Sequence, residues 1–418
     1  MSTSGPWQIK RIGDLATVAR GSSPRPIADQ RYFEGGEIPW IKIADATKAG
    51  KYLYETKEHV NEFGASFSRR LPIGSLIVAA SGTLGYTQML GVSGCVHDGW
   101  LYLTDFKGVD KQYLYYFFQW KKEHFYNSAY GAAIQNINTE ILRETEIALP
   151  PLSVQERVAS ILSAYDDLIE NNTRRIRILE QMAQTLYREW FVNFRFPDHQ
   201  KVKMVESELG PIPEGWRVRK LSTMVETQYG YTESATTHPV GPKYLRGMDI
   251  NKFSYIQWDK VPYCPISGSD HAAYRLKVGD IVVIRMADPG KVGIVEKDID
   301  AVFASYLIRL KICDSSLPPY YLFSFLLSDS YQDYVTGAST GTTRKSASAG
   351  VITDVPMLVP DSATSERYEL QIRDIRQMLN NLVDRNSILC TTRDFLLPKL
   401  ISGEIPVDAA AELVEQTA

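Results

Sequence analysis

The chain has 418 residues, 44% hydrophobic and 23% charged, with a formal net charge of −3. That is enough apolar material for about two to four buried cores and too much for a disordered tail protein. With no overall basic excess, any nucleic-acid contact has to come from local patches. Cys95, Cys264, Cys313 and Cys390 are scattered with no CxxC pair, which argues against structural zinc and for a reducing compartment. The N-terminus lacks an apolar signal core and no run reaches membrane-span length, so a soluble, cytoplasmic protein is expected.

The first 150 residues read mainly as strands. Ile38 to Asp45, Ser75 to Leu90 and Asp98 to Thr104 alternate or run apolar between glycine-containing turns. A helix is expected from Lys111 to about Tyr126, then a polar loop of small residues from Tyr130 to Asn138. From Pro150 to Pro197 the period changes. Val154, Val158, Ile161, Tyr165, Leu168, Ile176, Leu179, Ala183, Leu186 and Trp190 recur at the three- and four-residue steps of one helix face. Ser153 and Glu156, following Pro150-Pro151, predict a capping box, and the uninterrupted stretch predicts a rod of roughly 60 Å.

A second mixed segment follows over 201–362, with a helix expected from Pro319 to about Val335 and a polar loop from Thr336 to Lys345. Ile372, Ile375, Leu379, Leu382, Asn386, Leu389, Arg393 and Leu396 then trace the heptad seam of a second rod, from about Ser365 to Leu400, closing at Pro398 and Gly403. Residues 406–418 read as a flexible tail.

The two halves repeat each other. Gly5 to Ile12 is answered by Glu214 to Leu221, Gly36 to Asp45 by Gly241 to Asp249, Leu71 to Val78 by Leu276 to Val283, and Gln112 to Phe118 by Pro319 to Phe325. The landmarks keep their order at an offset of about 210 residues, too long for a solenoid, so the unit copied is a domain followed by a long helix.

Catalytic motifs are missing. The sequence has no HExxH, no GxSxG and no Asn/Asp-Pro-Pro-aromatic loop of an amino-methyltransferase, and Asp198, Glu206 and Glu208 lack the lysine of a nuclease site. The glycines between Gly337 and Ser346 do not have phosphate-loop spacing. The chain reads as a non-enzyme.

Two loop-rich domains carried on stiff rods suit a caliper, and DNA, with major-groove faces about 34 Å apart, fits that geometry. The candidate readers in the first copy are Arg20, Ser22, Ser23, Arg25, Lys42, Ser81, Thr83, Gln135, Asn136 and Asn138. In the second copy they are Tyr229, Tyr231, Thr232, Arg246, Asp249, Arg285, Thr342, Thr343, Arg344 and Lys345. Arg and Lys suit guanine edges or phosphates, and Asn and Gln suit adenine edges. A scaffold that binds only proteins, or an enzyme with an unrecognised site, are the alternatives.

Three stretches resemble the specificity subunit of type I restriction-modification systems: Pro150 to Arg157, Glu208 to Trp216 and Leu397 to Glu404. The resemblance covers essentially the whole chain. It implies an α/β (α+β) fold: two similar mixed α/β target recognition domains, 1–150 and 201–362, separated by two long antiparallel coiled-coil helices, 151–200 and 363–405, in an internal pseudo-two-fold repeat. It also implies double-stranded DNA as ligand, each domain reading half of a split target. The implied partners are two methyltransferase subunits, bringing S-adenosylmethionine, and two ATP- and Mg-dependent restriction/translocase subunits, with no cofactor on this chain. Asp361 to Arg367 departs from the Pro-Pro-Leu form, leaving the start of the second rod open by several residues.

Superposing Asp167 to Asn172 on Asn381 to Asn386 puts an Asn at the same seam position of each rod. An antiparallel pairing then sets Asn172 against Asn386, Ile176 against Leu382, Leu179 against Leu379, Ala183 against Ile375 and Leu186 against Ile372. A lone polar seam residue fixes register at some cost in stability. Trp190, Phe191 and Phe194 are expected either to pack on the adjoining domain or to dock a methyltransferase subunit.

Overall fold

The computed structural model describes residues 7–46, 49–82, 84–130, 136–339 and 345–408. The chain divides into two compact units, Met1–Asn171 with Ile388–Ala418, and Asn172–Ser387. The division falls inside both long helices, so each unit is a mixed domain together with one portion of each helix.

In the first unit, Thr17–Arg20, Trp100–Thr104, Leu76–Ala79, Thr87–Leu90 and Tyr52–Leu53 form a five-stranded sheet, antiparallel except for its last pair. A second sheet of Glu58–Val60, Ile38–Ile41, Gly94–Val96 and Arg69–Leu71 has its two central strands parallel. Leu76, Ile77, Val78 and Ala79 are all buried, as a strand covered on both faces requires. The helix Lys111–Tyr130 lays Tyr113, Leu114, Phe117 and Phe118 into the core.

The second unit repeats this plan with fewer strands in each sheet. Val225–Tyr229, Leu307–Ile312, Ile281–Ile284 and Val292–Ile294 make one antiparallel sheet, and Lys243–Leu245 pairs in parallel with Ala301–Phe303. The helix expected to run from Pro319 to about Val335 is two, Pro319–Leu327 and Asp329–Ala338. Ser328 breaks it: its backbone is extended, and its hydroxyl caps the second piece by accepting from the Tyr331 amide.

Each domain returns its chain to the helix that follows. Gln8–Arg11 pairs with Glu146–Leu149, and Arg217–Lys220 with Pro356–Val359, so the opening strand of each domain is bonded to the strand just before a long helix.

The first long helix covers Leu152–Tyr187 and ends in a π-helical turn, Arg188–Val192. Ser153 lies inside its first turn rather than capping it. Gln155, fully buried, ties that end down instead, donating to the Pro150 carbonyl at 2.8 Å and accepting from the Asp110 amide at 2.8 Å. Leu168, expected in the seam, is 48% exposed, while Leu162 is fully buried. The buried face therefore steps through Val158, Leu162 and Tyr165 to Asn172 and Ile176.

The second long helix covers Ser362–Ser402. Asp361 caps it, accepting from the Thr364 amide at 3.0 Å and hydroxyl at 2.7 Å, and from Trp216 Nε1 at 3.0 Å. The helix continues through Pro398, and Gly403, at φ +77°, follows it. No helix among the described residues is long and apolar enough to cross a membrane.

Candidate nucleic-acid interface

The two domains carry the same backbone frame at the loop end of the main sheet. Gly21 N donates to Trp100 O at 2.8 Å and Ser22 N to Val96 O at 3.1 Å; Gly230 N donates to Leu307 O at 3.1 Å and Tyr231 N to Phe303 O at 2.8 Å. A Cβ on Gly21 or Gly230 would lie under 3.0 Å from the carbonyl oxygen of His97 or Ala304, so both crossings need glycine. Ala80 is held by Gly99 O at 2.8 Å and Ile137 N at 2.9 Å, as Arg285 is by Tyr306 O at 2.9 Å and Ala347 N at 2.8 Å. Lys42 N donates to Asp45 Oδ2, and Arg246 N to Asp249 Oδ2, each at 2.9 Å. Arg20 thus corresponds to Tyr229, Ser22 to Tyr231, Lys42 to Arg246 and Ala80 to Arg285.

The side chains hung on this frame differ. In the first domain Arg20 Nε donates to Asp98 O at 2.6 Å, Arg25 pairs with the Asp98 carboxylate, and Ser23 Oγ accepts from Asp98 N at 3.2 Å. His97 lies 3.0 Å from the same carboxylate. Burial pushes the His97 pKa down; Asp98 opposes this, and Arg25, Lys42 and Arg20 add to it. Burial works against ionising Asp98, but His97, Arg25 and Ser23 together hold its pKa below the usual value. Three cationic side chains of the first domain thus converge around one histidine and one aspartate.

Lys42 pairs with Glu58 and lies 5.1 Å from the Trp40 ring centre. Ser22 Oγ donates to Phe67 O at 2.8 Å. Ser81 is half-buried beside Gly99. Asn136 is exposed, and the Ile137 amide bond to Ala80 brings it near Ser81. Asn138 is committed locally, its Oδ1 accepting from the Ile141 amide at 2.8 Å as the cap of Thr139–Glu144. Thr83 and Gln135 lie outside the described residues.

In the second domain Arg285 sits 5.0 Å from the Tyr229 ring centre, and Tyr229 Oη accepts from the Ala349 amide at 3.2 Å. Lys345 is exposed, its carbonyl accepting from Ala287 N at 3.0 Å. Arg246 is clamped by Asp249 through bonds of 3.0 and 2.9 Å, so its donors are turned inward. Tyr231 packs against Tyr274 with ring centres 5.2 Å apart, and Thr232 is exposed. Thr342, Thr343 and Arg344 lie outside the described residues.

His97, Asp98 and Tyr306 were not among the sequence candidates. The His97-Asp98-Gly99 turn just before the Trp100 strand was a usable signal, since it sets two titratable groups at a strand entrance. Tyr306, 54% exposed and bonded through its carbonyl to Arg285, gave none.

In the second unit Asn172 Nδ2 donates to Asn386 Oδ1 at 2.9 Å, and Asn386 Nδ2 donates to Thr173 Oγ1 at 3.2 Å. Ile176 and Leu179 share an apolar cluster with Leu379 and Leu382, and Ala183 and Leu186 share one with Ile372 and Ile375. Trp190 and Phe191, each 5% exposed, pack with Tyr187, Tyr321 and Tyr368. Phe194 stacks edge-on against Trp216 at 5.8 Å. These rings pack inside their own unit, and Trp190 and Phe191 keep almost no exposed surface.

Each domain is also bonded to its helix portions through a buried charge. Lys51, 5% exposed, donates to Ser163 Oγ at 2.7 Å, beside Asp166, which accepts from Tyr116 Oη and Arg393 Nη1, both at 2.6 Å. In the second unit the signs are exchanged. Arg376 of the helix, 3% exposed, donates to Glu296 of the domain at 2.8 and 2.5 Å and to Ser254 Oγ at 2.9 Å, while Ser254 donates to Glu180 at 2.6 Å.

No group of three His, Cys, Asp or Glu able to hold a metal occurs among the described residues. Residues 4–181 match the family described as type I restriction modification DNA specificity domain. Two relatives in Methanocaldococcus jannaschii extend the likeness over nearly the whole chain. The type I restriction enzyme MjaIX specificity subunit is 26% identical, over 96% of this chain and 94% of its own, and the MjaVIII specificity subunit is 25% identical, over 96% and 93%. Over residues 4–181 the chain matches a type I specificity domain, and over nearly its whole length it is similar to type I specificity subunits. The specificity-domain match ends within the first long helix, so the family's unit is a domain with its helix, the block that recurs in the second half here. The specificity subunit solved from M. genitalium has the same fold, with a TM-score of 0.60 at 15% identity over 96% of this chain and 97% of that one.

Proposed function

We propose that this specificity subunit reads a split DNA target, the loop end of the first domain contacting one half and that of the second domain the other. The observation that supports this is the repeated frame: the same backbone bonds present Arg20, Ser22, Lys42 and Ala80 in one copy and Tyr229, Tyr231, Arg246 and Arg285 in the other. A common scaffold with different side chains is what reading two different short sequences in the same manner needs. The long helices set the gap between the halves, and the Asn172–Asn386 bond keeps their register. Two methyltransferase subunits dock on the complex and bring S-adenosylmethionine; two restriction/translocase subunits bring ATP and Mg. This chain holds no cofactor and performs no chemistry itself.

Expression of the chain with its methyltransferase partner, followed by sequencing of methylated bases, tests the reading. A single motif of two short blocks with a fixed gap is expected. Methylation without such a motif, or S-adenosylmethionine binding by the isolated chain in titration calorimetry, would count against it.

A further inference from the structure

Arg20 and Arg25 are drawn to Asp98, and Arg246 is clamped by Asp249. Arg285 has no such acid among the described residues. Its backbone is fixed on both sides, by Tyr306 O and Ala347 N, so the side chain springs from a rigid strand end. Its guanidinium lies 5.0 Å from the Tyr229 ring centre, an arrangement that orients the plane through cation–π attraction. Nη1 reaches just Met286 Sδ at 3.8 Å, and Nε is buried with no hydrogen-bond partner. A guanidinium carries five donors in a rigid fork. Here the Nε is enclosed by the protein, and among the described residues the terminal donors meet no oxygen or acid, which leaves them for a ligand.

Taking as given that this loop end faces the major groove, we propose that Arg285 reads a guanine, directing its paired donors at N7 and O6, and so fixes one G·C position in the half-target of the second domain. A bidentate fork on a stacked, strand-anchored arginine matches a base edge. Neighbouring Lys345, exposed on a flexible stem, matches a phosphate. The corresponding residue of the first domain is Ala80, which offers no side-chain donor, so the requirement falls on one half alone.

The full chain, wild type and carrying Arg285→Ala or Arg285→Met, is expressed with its methyltransferase partner on a plasmid library in which each target position is randomised. Wild type should demand G·C at one position of one block. Both variants should relax that position by roughly 5- to 150-fold, the discrimination of one bidentate pair, and leave the other block unchanged. Arg285→Met keeps the length of the stem and removes every donor, so it decides the matter should Arg285→Ala fail to assemble. An even drop across all bases, or an unchanged motif with Arg285→Met, overturns the guanine assignment while leaving split-target reading intact. A wild type with no two-block motif overturns both.

Discussion

Asn172 donates its side-chain amide to the side-chain oxygen of Asn386 at 2.9 Å, a polar pair inside the apolar seam made by Ile176, Leu379 and Leu382. Asn172 is 5% exposed, so its bond is not readily replaced by water. Asn386→Leu should destabilise the chain by about 1–3 kcal/mol, because Asn172 is left buried and unpaired. The double variant Asn172→Leu/Asn386→Leu should recover that loss or exceed wild type while loosening register. Melting temperatures test the first effect, and the gap in the methylation motif the second; a double variant no more stable than the single one would remove the pair from this role.

Arg376 and Glu296 are 3% and 6% exposed at their side chains and are joined by two hydrogen bonds. Arg376→Met alone should cost about 3–5 kcal/mol, since Glu296 would stay buried without its partner. Adding Glu296→Leu should restore most of it. A double-mutant cycle by urea unfolding measures the coupling, and additive losses would show that the charges act independently.

Gly230 crosses the Ala304 carbonyl too closely for any side chain. Gly230→Ala should displace the strand that carries Tyr229 and cost about 1–3 kcal/mol, as overpacking does. Gly21→Ala should behave alike in the first domain, against His97. Methylation assays with either variant should show weakened demand in one block, a different block for each.

His97 has a depressed pKa, chiefly through burial. In the unfolded chain it titrates near ~6.5, so between that pH and its lower folded value the unfolded state takes up the proton first. Stability contributed by neutral His97 is therefore full above about pH 6.5 and falls as pH drops through the folded value. His97→Gln should flatten that part of a melting curve series between about pH 5 and 8. An identical slope in the variant would assign the dependence to other groups.

Much of the fold was legible because duplication and helical period are one-dimensional signals. The matched pair Leu76 with Ile281 falls on corresponding strands and Lys42 with Arg246 just beyond another such pair; the first long helix begins right after Pro150-Pro151, and the second at Ser362, shortly before the expected Ser365. Local competition blurred the edges. Ser328 split one helix, Gln155 replaced the expected capping box, and Leu168 lost its seam position to the steps through Leu162 and Tyr165.

The candidate interface was legible by region and less so by residue. Arg246 and Asp249 stood out as readers, yet they bond each other; Asn138 looked like an adenine reader, yet it caps a helix. His97 and Asp98 drew no notice, since what makes them matter is the approach of Arg20 and Arg25 from about 75 residues away in sequence, a closure that loop entropy does not forbid.

The sequence by itself determined that a domain and a long helix occur twice, because apolar period and repeated landmarks are properties of order along a chain. Only the tertiary structure decided which polar groups are spent and which are left over. Hydrogen-bond satisfaction depends on neighbours brought together by folding, so Arg246 is neutralised by Asp249 while Arg285, at a strand end beside Tyr229, meets no acid among the described residues.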